Sequence, residues 1–131
     1  MITDPISNFL ISIKNASRAG KSVAVVPFSN LKHEIAGLLQ KEGYLKGVQV
    51  KGKKATRRIE VEIAYFDDKR PRVEDIARLS KPSRRVYGGA SDLKPVKQGK
   101  GMLVVSTPKG VLRGEEARKA NVGGELLFMI W

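Results

Sequence analysis

The chain has 131 residues, 41% of them hydrophobic, with a net charge of +12 and a pI near 10.2. That length gives one domain or two small subdomains, with apolar content enough for a true core. The absence of cysteine excludes disulfides and cysteine-bound metal, and no stretch of about 18 apolar residues exists to span a membrane.

The charge is uneven. Residues 41–100 hold 17 basic and eight acidic side chains, against four and two in residues 1–40, and four and three in residues 101–131. Positive charge of this size attracts polyphosphate, and such attraction weakens steeply with salt. An anionic membrane would call for a densely basic amphipathic helix, and neither amphipathic helix here has one. The opening residues also lack the basic start and unbroken apolar run of a signal peptide.

Thr3-Asp4-Pro5 reads as a helix start, with Ile6, Phe9, Leu10 and Ile13 at helical spacing and Gly20 as the stop. Val23 to Phe28 is a short β-rich run. Ser29 or Asn30 caps a second helix with Leu31, Ile35, Leu38 and Leu39 on one face, ended by Gly43. Tyr44 to Val50 reads as a strand, Lys51 to Lys54 as a basic turn, and Thr56 to Phe66 as an alternating strand with Ile59, Val61, Ile63 and Tyr65 facing one way and Arg58, Glu60 and Glu62 the other.

Polar residues 67–72 form the expected linker between subdomains 1–66 and 73–131. Val73 to Leu79 is ambiguous, and Lys81 to Tyr87 is basic. Met102 to Thr107 is an apolar strand, Glu115 to Ala120 one or two helical turns, and Glu125 to Trp131 a buried C-terminal strand. The expected fold is α+β: an α-β-α-β-β N-terminal subdomain packed against a mostly β C-terminal one with one short helix. Phe9, Leu10, Ile13, Ile35, Leu38, Ile59, Val61, Ile63, Val104 and Leu127 should form the core.

Three patterns suggest catalysis or metal binding, and each is incomplete. Ser106 and Lys109 have the S-x-x-K spacing of serine acyl-transferases, but Ser91-Asp92-Leu93 fails the S-D-N partner motif and no K-T-G exists. Gly20-Lys21-Ser22 has Asn15 where a phosphate loop needs its first glycine. His33 is the single histidine, too few for a transition-metal site. No catalytic residue, metal or cofactor is therefore expected.

Nucleic-acid chemistry is better supplied. Lys81, Arg84 and Arg85 can bind phosphate, the arginines bidentately, and Tyr87 can stack on a base. Ser106 and Thr107 suit the hydroxyl-lined minor groove of double-helical RNA, with Lys109 reaching a phosphate. Their alternative role is to satisfy their own loop. Lys51, Lys53, Lys54, Arg57 and Arg58 form either a phosphate-binding tip or a solvated hairpin.

Val104-Val105-Ser106-Thr107-Pro108-Lys109-Gly110-Val111-Leu112, then Glu116-Ala117-Arg118-Lys119 and Val122-Gly123-Gly124-Glu125, resemble the bacterial small-subunit ribosomal protein S-eight family. Thr3-Asp4-Pro5-Ile6, Lys14-Asn15-Ala16, Leu79-Ser80-Lys81-Pro82, Arg84-Arg85-Val86-Tyr87 and Trp131 extend the resemblance over essentially the whole chain. It implies a non-enzymatic protein in the cytoplasm, in the ribosome. Its binding target would be an irregular stem in the central domain of small-subunit ribosomal RNA. It further implies neighbours such as proteins S-five and S-twelve, and repression of ribosomal-protein mRNA through a mimic of that stem.

Carried onto this sequence, Ser106, Thr107 and Lys109 would meet the groove. Tyr87 would lie against a base or sugar, and Glu125 would orient the loop. Lys81, Arg84, Arg85, Lys14, Asn15, Arg18, Lys53 and Lys54 complete the expected RNA contacts. Two departures stand out: Pro108 replaces a second serine of the family loop, and Arg113-Gly114 stands where the family has Thr-Asp. A free RNA-binding regulator uses the same surface, and a small serine hydrolase would use Ser106 and Lys109.

Overall fold

A computed structural model describes residues 5–90 and 101–131. The Thr3-Asp4 cap and Ser91-Asp92-Leu93 lie outside the described residues. The chain divides into two compact units, one spanning Pro5–Glu74 and the other beginning at Asp75 and running to Trp131.

In the first unit, helix α1 (Pro5–Arg18) leads to strand β1 (Val23–Pro27), helix α2 (Asn30–Lys41), strand β2 (Leu45–Lys51), a 3-10 turn (Lys54–Thr56) and strand β3 (Arg58–Ile63). The sheet order is β1-β3-β2, all antiparallel. Ser29 caps α2, its hydroxyl accepting from the Lys32 N–H at 3.1 Å. Both helices end in the same doubly hydrogen-bonded motif around a left-handed glycine. Lys21 N–H reaches Ala16 O and Gly20 N–H reaches Ser17 O; Tyr44 and Gly43 repeat this on Leu39 and Gln40.

One sheet face carries Ala24, Val26, Ile59, Val61 and Ile63, all buried, as are Phe9, Leu10, Ile13, Ile35 and Leu38 from the helices. Tyr65 lies beyond the end of β3 and is only half-buried. Its hydroxyl donates to Lys21 O at 2.5 Å and lies 3.3 Å from Ala16 O, pinning the end of α1. Residues 67–70 form a tight turn: Phe66 N–H donates to Arg70 O, Lys69 N–H to Phe66 O, and Tyr65 bridges Pro71.

The inner face of α2 differs from the spacing-based expectation. Leu31 is only half-buried, while Lys32 is 6% exposed. Long cationic side chains can bury their aliphatic stems in this way. It has no carboxylate partner among the described residues, and burial pushes its ammonium below the ordinary lysine pKa.

The second unit contains β4 (Ile76–Arg78), β5 (Tyr87–Gly88), β6 (Met102–Thr107), β7 (Gly110–Arg113), helix α3 (Gly114–Lys119) and β8 (Gly124–Ile130). The order is β4-β8-β6-β7, and β5 also pairs with β8. Buried Ala117 of α3 packs with Leu103 and Val105 on one sheet face. Strand β7 is a short addition to the sequence-based reading. It follows β6 directly through a hairpin turn and pairs with it from Val104↔Arg113 to Thr107↔Gly110. Among the described residues, no helix is long and apolar enough to cross a membrane.

Lys32 generates a prediction. A lysine with a folded pKa below its unfolded value of 10.5 destabilises the fold at neutral pH, where both states are charged. That penalty disappears as pH rises to the unfolded pKa. Lys32→Met is therefore expected to raise the denaturant midpoint at pH 7, with the gain shrinking toward pH 10.5. A gain independent of pH would show that packing alone is responsible.

Candidate nucleic-acid interface

Residues directly opposed on antiparallel strands place their side chains on the same face. Tyr87 opposes Glu125, Glu125 opposes Ser106, and Ser106 opposes Val111. These four residues form one row across β5, β8, β6 and β7. Tyr87 is 68% exposed, and the other three are half-buried. The row is shallow, with an aromatic ring at one end and an apolar side chain at the other.

Two glycines make the row possible. A Cβ on Gly124 would lie 2.0 Å from the Ser106 carbonyl oxygen, and one on Gly123 would lie 2.3 Å from that of Gly88. Neither contact can relax without moving backbone. The start of β8 therefore passes between β5 and the end of β6 only because no side chain is present.

Beside the row lies the basic loop. Ser80 is fully buried. Its hydroxyl accepts from the Val86 N–H at 2.8 Å and donates to the Val86 carbonyl at 3.2 Å. Within this clasp, Lys81 and Arg84 exchange backbone hydrogen bonds in a tight turn. Lys81, Arg84 and Arg85 are all exposed. Arg85 reaches back to Glu125 at 3.0 Å. The carboxylate that the resemblance assigns to orienting the groove-facing loop thus pairs here with the basic loop, holding Arg85 beside the row. Such a partly exposed pair contributes more to position than to stability.

The turn between β6 and β7 divides the two hydroxyls. Thr107 Oγ1 donates to the Gly110 carbonyl at 2.8 Å and accepts from the Lys109 N–H at 3.1 Å. Its proton is committed to the turn, leaving it able only to accept a further bond. Ser106 Oγ has no hydrogen-bond partner among the described residues, so it retains both donor and acceptor capacity. Pro108 occupies the second turn position, where proline's fixed φ fits, and glycine follows at the fourth. Lys109 is exposed between them. No hydrogen bond links Ser106 to the Lys109 ammonium among the described residues, although serine activation needs one.

The remaining expected contacts belong to the first unit, at two separate places. Asn15 and Arg18 are exposed and Lys14 half-buried on α1; Lys53 and Lys54 are exposed where β2 turns into β3. Sequence reasoning gave no role to Ser80 or to the close passage at Gly123-Gly124. The adjacent glycine pair before an apolar strand was a usable signal. Ser80, an isolated serine beside a basic loop, offered none. Among the described residues, no cluster of His, Cys, Asp or Glu could hold a metal ion.

Comparison with known proteins matches the Ribosomal protein S8 family model over residues 4–131. The chain belongs to the ribosomal protein S8 family. The small ribosomal subunit protein uS8 of Vesicomyosocius okutanii is 44% identical over 99% of this chain and 98% of its own length. Those of Rhizorhabdus wittichii and Caulobacter sp. strain K31 are each 42% identical with the same coverage. Within the S8 family loop, Pro108 fits the turn without using any group the turn needs. Arg113 stands at the N-cap of α3 without a side-chain capping bond, and pairs with Glu115 at 3.2 Å. The extra charge at this position is thus balanced by its neighbour.

Removing the Ser80 hydroxyl should open the basic loop. Ser80→Ala leaves the Val86 N–H without its partner, a loss of about 1–3 kcal/mol locally. Amide exchange at Val86 should accelerate roughly tenfold or more, with Ile59 unchanged in the other unit. Unchanged exchange at Val86 would show that the clasp does not hold the loop.

Proposed function

We propose that this chain is a structural protein of the small ribosomal subunit. In this reading it binds ribosomal RNA directly and stabilises the subunit during assembly, without catalysing a reaction. Its place is then the ribosome, in the cytoplasm, beside small-subunit proteins such as S-five and S-twelve. The family membership supports the ribosomal assignment, and the cross-strand row carries the RNA reading.

The row has the chemistry of a duplex reader. The minor groove of RNA is wide, shallow and lined with 2′-hydroxyls, which both donate and accept. Ser106 offers a small hydroxyl with both capacities, Tyr87 a flat ring, and Val111 an apolar floor. From flanking turns, Lys81, Arg84 and Lys109 would meet phosphates, which fix orientation without reading sequence. We assign the target to one irregular stem in the central domain of small-subunit RNA. A stem of the same shape in ribosomal-protein mRNA would occupy the same row and repress translation.

Footprinting of total small-subunit RNA with the purified protein tests this reading. One protected stem in the central domain is the expected result. Uniform weak protection of every helix would reduce the protein to a sequence-blind polycation.

A further inference from the structure

A second cluster of planar side chains lies in the Pro5–Glu74 unit. Phe28 follows β1, and its N–H donates to the Arg57 carbonyl at 3.2 Å. This backbone bond brings Arg57 alongside Phe28. The Arg57 guanidinium carbon lies 4.1 Å from the Phe28 ring centroid. The His33 ring lies 6.0 Å from the same centroid, tilted by 39°. Three planar groups therefore gather at one place, with Phe28 half-buried and Arg57 and His33 exposed.

Positive charge lies on the adjoining segment. Lys53, Lys54 and Arg58 are exposed on the adjoining turn and strand. Among the described residues, none of these three or Arg57 has a carboxylate partner, whereas nearby Lys51 is paired with Glu60 at 3.1 Å. The turn is ordered: Thr56 Oγ1 donates to Lys53 O at 2.7 Å and accepts from the Lys53 N–H at 3.2 Å. Lys54 takes a left-handed φ of 51°, an uncommon conformation for a side-chain-bearing residue. The cations are thus displayed on a fixed frame.

We propose that Arg57, held over the Phe28 ring, is a stacking platform for an unpaired RNA nucleotide, with Lys53 and Lys54 engaging its flanking phosphates. A guanidinium plane can stack on an exposed base while its edge donates hydrogen bonds. A duplex hides its base faces, and the carboxylates of an acidic peptide would pair with the guanidinium edge rather than cover its face. An unpaired nucleotide supplies both the plane and the negative charge. The inference rests on the RNA reading above but concerns another unit and another RNA form.

The test uses the full chain and a short fluorescein-labelled single-stranded oligoribonucleotide, titrated with and without saturating unlabelled stem RNA. The wild type should bind the oligonucleotide equally in both conditions. Arg57→Lys keeps the charge and removes the plane. It should weaken oligonucleotide binding about 5- to 150-fold, the range for losing one stacked base, and leave stem affinity unchanged. Phe28→Leu, which keeps an apolar support without the ring, should also weaken it.

Wild-type affinity in Arg57→Lys would overturn the platform, as would displacement of the oligonucleotide by the stem. Displacement by polyglutamate at equal charge concentration would overturn it in favour of an acidic protein partner. Failure of the wild type to bind the stem would instead sink the earlier RNA reading. Oligonucleotide binding lost only in the variants would still support the platform.

Discussion

The close passage of three backbones at Gly123 and Gly124 is the constraint on which the proposed interface depends. Gly124 pairs with Gly88, while a Cβ at its position would strike the carbonyl of Ser106. Only at this spacing can β8 hold β5 on one edge and β6 on the other. The same register puts Glu125 between Tyr87 and Ser106. A side chain at either glycine would separate strands whose alignment defines the row. The glycines contact no RNA in this scheme. They determine whether the residues that do are in line.

From that alignment follows a division of labour. The last 31 residues are nearly neutral, whereas residues 41–100 carry most of the positive charge. Phosphate attraction is strong but does not tell one RNA helix from another. Discrimination needs groups whose bonds form only against a groove of the right shape. Ser106 qualifies because its hydroxyl is not spent within the protein. Thr107 has the same functional group but a different fate, because its proton already closes the β6–β7 turn. Glu125 balances Arg85 beside the row, limiting indiscriminate attraction where selection is proposed to occur.

Much of the fold was legible because local chemistry agreed with the final packing. A cap at Ser29 or Asn30, met by Ser29, the stops at Gly20 and Gly43, and the alternation of Ile59, Val61 and Ile63 each correspond to observed elements. All ten residues expected in the core are buried. Strand β7 was hidden because Gly110–Arg113 is too short for a clear alternation. Lys32 was hidden because a charge pattern does not show where an aliphatic stem lies. The candidate row is only partly legible: the sequence marks Ser106, Tyr87 and Glu125, but their alignment is a property of register. The Arg57–Phe28 stack depends on a backbone bond between residues 29 positions apart in sequence, and no local motif reports such a bond.

The most direct test of this division is the ratio of two affinities. Wild type and Ser106→Ala would be titrated against the central-domain stem and against an unrelated RNA duplex, at fixed salt. A groove-specific hydrogen bond is worth on the order of 1–3 kcal/mol when its partner is left unsatisfied. Ser106→Ala should therefore lower affinity for the stem roughly 5- to 150-fold and leave the unrelated duplex unaffected. Equal loss on both RNAs would contradict the account, showing that the row adds general affinity and that discrimination lies elsewhere.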